Sequence, residues 1–281
     1  MKGVKKSDLR MIRFLIVNFI IFHTLSVPVN SQEFNYSGEL TQGGLVRGKV
    51  IPGTKIFLDE KQIKVSRNGL FVFGFGRDHS KESILKIKYS NGLLEEKILV
   101  IRSRTWKTQK INNLPSKMVI PSKESLKIIK ENNNAILIAR NIDSNETWFM
   151  QDFIWPVKGI ITGIFGTKRI LNGRIKQPHY GIDIAASAGT PVLAPASGRV
   201  SLAEMDHYYT GGTIILDHGH GISSAYLHLQ KLNVFREQIV SKGQIIGYVG
   251  STGRSTGNHL DWRINWFNVR IDPQLIVKEK M

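Results

Sequence analysis

The sequence predicts a mainly β protein: a small amino-terminal β-sandwich, a linker holding one helix, and a larger carboxy-terminal antiparallel β domain. Three observations predict it. At 281 residues the chain is longer than most single domains, so two compact units are the default expectation. Short β-type runs alternate with Gly-containing turn dipeptides over two long stretches. Between those stretches the pattern changes to polar residues with spaced aliphatics. A hydrophobic content of 41% against 22% charged residues is that of a folding chain and excludes charge-dominated disorder.

At the start of the chain, Lys2, Lys5, Lys6, Arg10 and Arg13 precede an apolar run from Phe14 to Leu25, followed by Val29-Asn30-Ser31. This pattern predicts a signal peptide over 1–31, or an uncleaved amino-terminal anchor. The run is shorter than the ~20 apolar residues that span a bilayer. Either reading exports the remainder to the periplasm or cell envelope, with membrane contact expected only through an uncleaved leader.

Residues 32–104 read as the β-sandwich-like domain. Its strand candidates are Leu45–Val50, Lys55–Leu58, Ile63–Ser66, Leu70–Phe75, Leu85–Tyr89 and Leu93–Ile101. The turns at Asn68-Gly69 and Asn91-Gly92 are expected to be type I′, with positive φ at both central residues. No cluster of His, Asp or Glu at ligand spacing occurs here, so this domain reads as a structural or targeting module. Residues 105–151 read as the linker. Pro115 and Pro121 punctuate it, and Ser122 is placed to cap a helix through Leu126, Ile129, Ile136 and Arg140. Asn132, Asn133 and Asn134 are poor helix formers within that run. Residues 152–276 read as the second β domain, with strands at Thr190–Ala194, Gly198–Ala203, Gly212–Asp217, Ser223–Leu229, Gln244–Val249 and His259–Trp266, and 277–281 as a tail.

Candidate chemistry concentrates in the second β domain. The chain has no cysteine, which excludes disulfides and thiolate zinc sites and restricts any metal to imidazole and carboxylate ligands. Six of the eight histidines lie between positions 179 and 259. His259 and Asp261 are two apart on a strand candidate, so their side chains leave the same face. His228, among Tyr226, Leu227 and Leu229, either is a partnered core residue or lines a cleft. His207 reads as a lone polar residue. His218 and His220 read as structural, and Asp217 as a turn residue accepting backbone donors. The formal charge of +17 favours polyanionic partners. With an export signal, those are acidic envelope polymers rather than nucleic acid.

His179-x-x-x-Asp183, Tyr226-Leu227-His228-Leu229 and Gly257-Asn258-His259-Leu260-Asp261-Trp262 together resemble the signatures of the lysostaphin/LytM-type zinc metalloendopeptidases. Trp155-Pro156-Val157-x-Gly159, Gly163-x-Phe165-Gly166-x-x-Arg169, Ala194-Pro195-Ala196-x-Gly198-x-Val200 and Gly243-x-x-Ile246-Gly247 extend the resemblance over roughly Phe153 to Leu275. The resemblance implies a LytM-like antiparallel β domain with a zinc (Zn) cofactor on His179, Asp183 and a third ligand. It implies His228 and His259 as catalytic residues beside the reacting water. The implied activity is hydrolysis of the peptide cross-links of bacterial peptidoglycan, with other wall hydrolases as further partners.

The chain departs from the family pattern at the third ligand. Where the family has the second histidine of a His-x-His motif, Asp261 stands, and the usual acidic residue two positions on is Arg263. Two arrangements are open. Asp261 is the third ligand, its extra negative charge lowering the Lewis acidity of the metal. Alternatively, Asp261 pairs with Arg263 on the same strand face and is held away from the metal, leaving two ligands. The second arrangement corresponds to a catalytically degenerate domain that binds or regulates cell-wall hydrolysis.

Overall fold

The computed structural model describes residues 34–112 and 121–278. The predicted leader at 1–31 lies outside the described residues, as does most of the tail. Among the described residues no helix is long and apolar enough to cross a membrane. The chain is mainly β, as the sequence predicts.

Two small sheets form the amino-terminal part. One orders Asn35–Gly38, Leu45–Lys49 and Leu70–Gly74; the other orders Lys61–Ile63, Lys55–Leu58, Glu82–Lys88 and Leu94–Val100. Alternation builds the core between them: in Glu82–Lys88, Ser83, Leu85 and Ile87 are buried while Glu82, Ile84 and Lys88 face outward. Phe71, Phe73 and Ile56 complete this interior.

The Asn-Gly turns differ from the type I′ expectation. Gly69 and Gly92 have φ of 81° and 87°, but Asn68 and Asn91 are not among the positive-φ residues. Gly69 N–H donates to the Ser66 carbonyl and Ser66 N–H to that of Leu70; Gly92 N–H and Tyr89 N–H repeat the pattern with Tyr89 and Leu93. Each is a longer turn closed by a glycine in the left-handed region, which leaves asparagine right-handed. The Asn91 side chain then accepts from Leu93 N–H at 3.0 Å.

The described residues belong to one compact unit. Arg47 of the first sheet donates to the Phe149 and Gln151 carbonyls, Arg104 pairs with buried Asp272 at 2.8 Å, and Thr108–Ile111 runs parallel to Lys168–Leu171.

An eight-stranded sheet dominates the carboxy-terminal part. Its order is Ile239–Val240, Gly198–His207, Gly211–Gly219, Ile222–Leu229, His259–Trp266, Ile182–Ala185 and Ile160–Gly163, with Val269–Ile271 also paired to His259–Trp266. The expected strands Gly198–Ala203, Gly212–Asp217, Ser223–Leu229 and His259–Trp266 lie within these bounds, whereas Thr190–Ala194 and Gln244–Val249 contain Pro191–Leu193 and Ile245–Tyr248, which pair in a separate three-stranded sheet. Ile182–Ala185 and Ile160–Gly163 were not anticipated, being short runs whose pairing comes from distant strands.

The sheet's two faces are chemically distinct. Tyr226, Leu260, Trp262, Ile264 and Ile184 fill the main core. On the opposite face Ile215, Ala225 and Leu227 form a smaller cluster with Ala135, Ile136 and Ala139 of Lys123–Arg140, the one α-helix among the described residues. Ser122 caps that helix, its side chain accepting from Ser125 N–H at 3.2 Å. The asparagine run does not break it. Asn132 uses its side-chain oxygen to accept from Tyr208 N–H at 2.9 Å, and the packed face supplies what helix propensity lacks.

Three of the histidines are structural. His207 is buried, and burial depresses its pKa. The Nδ1–H of His218 donates to the Ser197 carbonyl at 2.7 Å, so its Nε2 accepts from the Ser224 hydroxyl at 2.7 Å. Asp217 accepts from Gly219 N–H in the adjoining turn. Burial pushes His218 and His220 down to about 4 from an ordinary 6.5. Both are neutral in the folded chain near neutral pH. As pH falls from 6.5 toward 4, the unfolded chain takes up protons that the folded chain refuses, so stability drops across that window. The drop for His218 is on the order of 3 kcal/mol. Urea unfolding at pH 7 and pH 4.5 should show a smaller acid loss in His218→Gln than in the wild type.

Candidate metal centre

Asp183 and Asp261 face each other directly across the pairing of Ile182–Ala185 with His259–Trp266, so both carboxylates leave the outer sheet face. His179 lies just before the first of these strands. Its N–H donates to the Thr167 carbonyl at 2.9 Å and its own carbonyl accepts from Gly166 N–H at 2.7 Å. These bonds hold the buried imidazole over the carboxylate pair. His179 Nε2 is 3.1 Å from Asp183 Oδ1 and 3.6 Å from Asp261 Oδ2. One ligand atom from each of the three residues lies within 4.8 Å of the others.

This donor set fits a zinc ion. A tetrahedral zinc with bonds of about 2.0–2.2 Å places its ligand atoms roughly 3.3–3.6 Å apart, close to the observed spacings. His179 Nε2 is buried with no hydrogen-bond partner, as a nitrogen directed at a metal would be. Burial works to lower the His179 pKa, but the flanking carboxylates of Asp183 and Asp261 outweigh it and raise it. Protons therefore compete for the nitrogen that a metal would use.

Each carboxylate carries its own guanidinium. Arg263 grips Asp261 with two bonds, Nε to Oδ1 at 2.9 Å and Nη2 to Oδ2 at 2.5 Å. Burial would raise the Asp261 pKa, but Arg263, with His179, holds it well below the usual carboxylate range. Arg169 reaches Asp183 Oδ2 at 3.3 Å, leaving Oδ1 toward His179 and toward His259, whose Nε2 is 3.8 Å away. The pairing of Asp261 with Arg263 expected from their shared strand face is present. Pairing with Arg263 does not withdraw the carboxylate, because Oδ2 faces His179 as well as the guanidinium.

His228 and His259 come together beside this cluster, ring centroids 4.8 Å apart. Strand alternation alone would turn His228 toward the core with Tyr226. Its φ of 66° breaks the pleat instead and brings the ring to the His259 side. His228 Nδ1–H donates to the Thr252 carbonyl at 2.8 Å, and His259 Nδ1–H to the Gly257 carbonyl at 2.8 Å. A carbonyl only accepts, so Nδ1 carries a proton in each ring, and in the neutral tautomer the lone pair is at Nε2. Burial depresses the His228 pKa and keeps that ring neutral at pH 7.

The profile of peptidase family M23 matches residues 177–273. The peptidoglycan DD-endopeptidase ShyA of Vibrio cholerae is 42% identical over 98 residues, 35% of this chain and 21% of that protein. Lysostaphin of Staphylococcus staphylolyticus is 43% identical over 94 residues, 33% of this chain and 19% of that protein. The chain thus spans about a fifth of the length of these curated relatives. A crystal structure from Pseudomonas aeruginosa, assigned to peptidase M23, covers 85% of this chain and 95% of its own with a TM-score of 0.66 and 26% identity.

Three further residues shape the centre without having been singled out as functional from sequence. Arg169 and Gly163 belong to a recognisable motif, but nothing local to it reveals that they touch Asp183. A side chain at Gly163 would overlap the Asp183 carboxylate, and one at Gly181 would meet Asp261 Oδ1 and Arg263 Cγ, each 2.6 Å from its Cβ. Gly181→Ala should therefore lower metal affinity more than it lowers stability, read by zinc titration beside thermal unfolding. Arg263→Ala strands a buried carboxylate and should cost about 3 kcal/mol in denaturant unfolding. Asp261→Asn added to Arg263→Ala should recover most of that loss.

Proposed function

We propose, from the match of residues 177–273 to peptidase family M23 and the similarity to ShyA and lysostaphin, that the chain is a zinc-dependent endopeptidase that hydrolyses peptide cross-links of bacterial peptidoglycan and acts in the cell envelope. The observation that carries this reading is the convergence of His179, Asp183 and Asp261 on one point, with two histidine Nε2 atoms free beside it. In this reading residues 152–276 carry the chemistry and residues 32–104 support it.

His179 Nε2, Asp183 Oδ1 and Asp261 Oδ2 would hold the ion. Zinc bound there would supply Lewis-acid polarisation of the scissile carbonyl and of the attacking water. The chain's own residues do the rest. Asp183 and Asp261 bring two negative charges and Arg263 returns one positive charge, so the set carries the same net charge as two histidines and one aspartate. Arg263 thereby offsets the loss of Lewis acidity expected from a second carboxylate. His228 and His259, each held by a carbonyl at Nδ1 and so presenting Nε2 for proton transfer, share removal of the water proton and its return to the leaving amine. Once protonated, an Nε2–H so placed donates toward the developing oxyanion.

The bidentate Arg263–Asp261 pair favours one other reading, a non-catalytic relative that binds the wall or regulates another wall hydrolase. Metal content separates the two. Elemental analysis of the dialysed protein should find one zinc per chain, lost in Asp183→Ala and Asp261→Ala. No zinc in the wild type, with zinc acquired by Asp261→His, would overturn the endopeptidase reading. His228→Ala and His259→Ala should keep both zinc and melting temperature while slowing cleavage of cross-linked muropeptides by about 10²–10⁴-fold.

A further inference from the structure

The strip of sheet that carries Asp261 continues under the helix into a cavity of about 340 Å³. Register sets its floor. Leu227 lies opposite Asp261, Ala225 opposite Arg263, and Ile215 opposite Ala225, so these side chains share the face of the metal cluster. Arg263 therefore grips Asp261 and lines the cavity. Ile136 and Arg140 of the helix form the facing wall, and exposed Asn133 and Leu137 form an accessible rim.

The cavity gathers three guanidinium groups, those of Arg140, Arg263 and Arg270. Only Arg263 has a carboxylate partner among the described residues. Arg270 donates to the Asn265 side-chain oxygen at 2.6 Å, and Arg140 to that of Asn268 at 2.7 Å. Both acceptors are neutral. Arg140 is buried, and its Nε has no hydrogen-bond partner. Burial, then the neighbouring Arg140 and Arg263, push Arg270 down to about 9, outweighing the opposite pull of Tyr180 and Asp261. Buried cations are normally paired, and guanidinium groups match carboxylates in shape and charge. The apolar floor of Ile215, Ala225 and Leu227 suits the aliphatic carbons behind such a group.

We propose that this cavity is a substrate subsite that binds a free carboxylate of the wall peptide, held by Arg270 and Arg140 while the peptide's scissile amide lies at the adjoining metal centre. This rests on the endopeptidase reading for the identity of the ligand. Its size is in the range of small-ligand pockets, and Arg263, which grips Asp261, is also part of its lining.

The test compares two synthetic probes, L-Ala-γ-D-Glu-L-Lys-D-Ala and the same peptide with every carboxyl converted to the amide. Both are titrated calorimetrically into the zinc-supplemented full chain. Wild type should bind the acid at least about tenfold tighter than the amide, as expected for hydrogen bonds to a charged group. In Arg270→Gln and in Arg140→Gln that preference should shrink to about twofold at most. Equal binding of the two probes by wild type would overturn the proposal without recourse to any variant. Undiminished preference in both variants would overturn it too. Cleavage of cross-linked muropeptides by a wild type that does not discriminate acid from amide would sink the subsite and leave the endopeptidase standing. Discrimination that depends on Arg270, in a chain that holds no zinc and cleaves nothing, would uphold the subsite and sink the endopeptidase.

Discussion

Two carboxylates face each other across a single strand pair, and accommodating both is the constraint on which the candidate metal centre depends. Asp183 and Asp261 are directly opposite in register, nearly removed from water. Donors surround both: Arg169 at the outer oxygen of Asp183, Arg263 at both oxygens of Asp261, and the imidazole of His179 between them; despite burial, Arg263 holds the Asp261 pKa well below the usual carboxylate range. A cation bound at the centre would complete that balance. Space is part of the arrangement, since Gly163 and Gly181 leave the volumes that the Asp183 carboxylate and the Asp261–Arg263 pair occupy.

The sheet makes this possible by separating two tasks onto its two faces. Tyr226, Trp262 and Leu260 lock one face into the main core, fixing the strands on which the outward residues stand. The outward face then carries polar chemistry at one end and a small apolar cluster beneath the helix at the other. His228 is the exception to alternation. Its left-handed backbone carries the side chain from the core side to the site. A residue of that kind stores strain, which the bonds from His228 N–H to Thr210 and from Nδ1–H to Thr252 help to hold.

Much of this was legible in the chain. The Gly198, Gly212, Ser223 and His259 runs announce their strands through alternation and bounding glycines, and Ser122 announces the helix start. The clustering of His179, Asp183, His228, His259 and Asp261 is a matter of residue type and motif. The short Ile182–Ala185 strand was missed because four residues carry too little pattern, although it bears Asp183. The asparagine-glycine turns were misread because Asn-Gly fits more than one loop length, and the flanking hydrogen bonds decide which forms.

The sequence by itself determined the β class, the exclusion of thiolate ligands, and the histidines and carboxylates available to a metal, since these follow from residue type and local periodicity. It left Asp261 between metal and Arg263, because spacing establishes that side chains share a face but not how many partners one carboxylate meets. Only the tertiary structure decided that Oδ2 of Asp261 faces His179 as well as Arg263, that Arg169 backs Asp183, and that Arg140 of the helix joins Arg263 and Arg270 over one cavity. Those contacts join residues far apart in the chain, and their distances depend on strand register and on the docking of the helix, which no local pattern encodes.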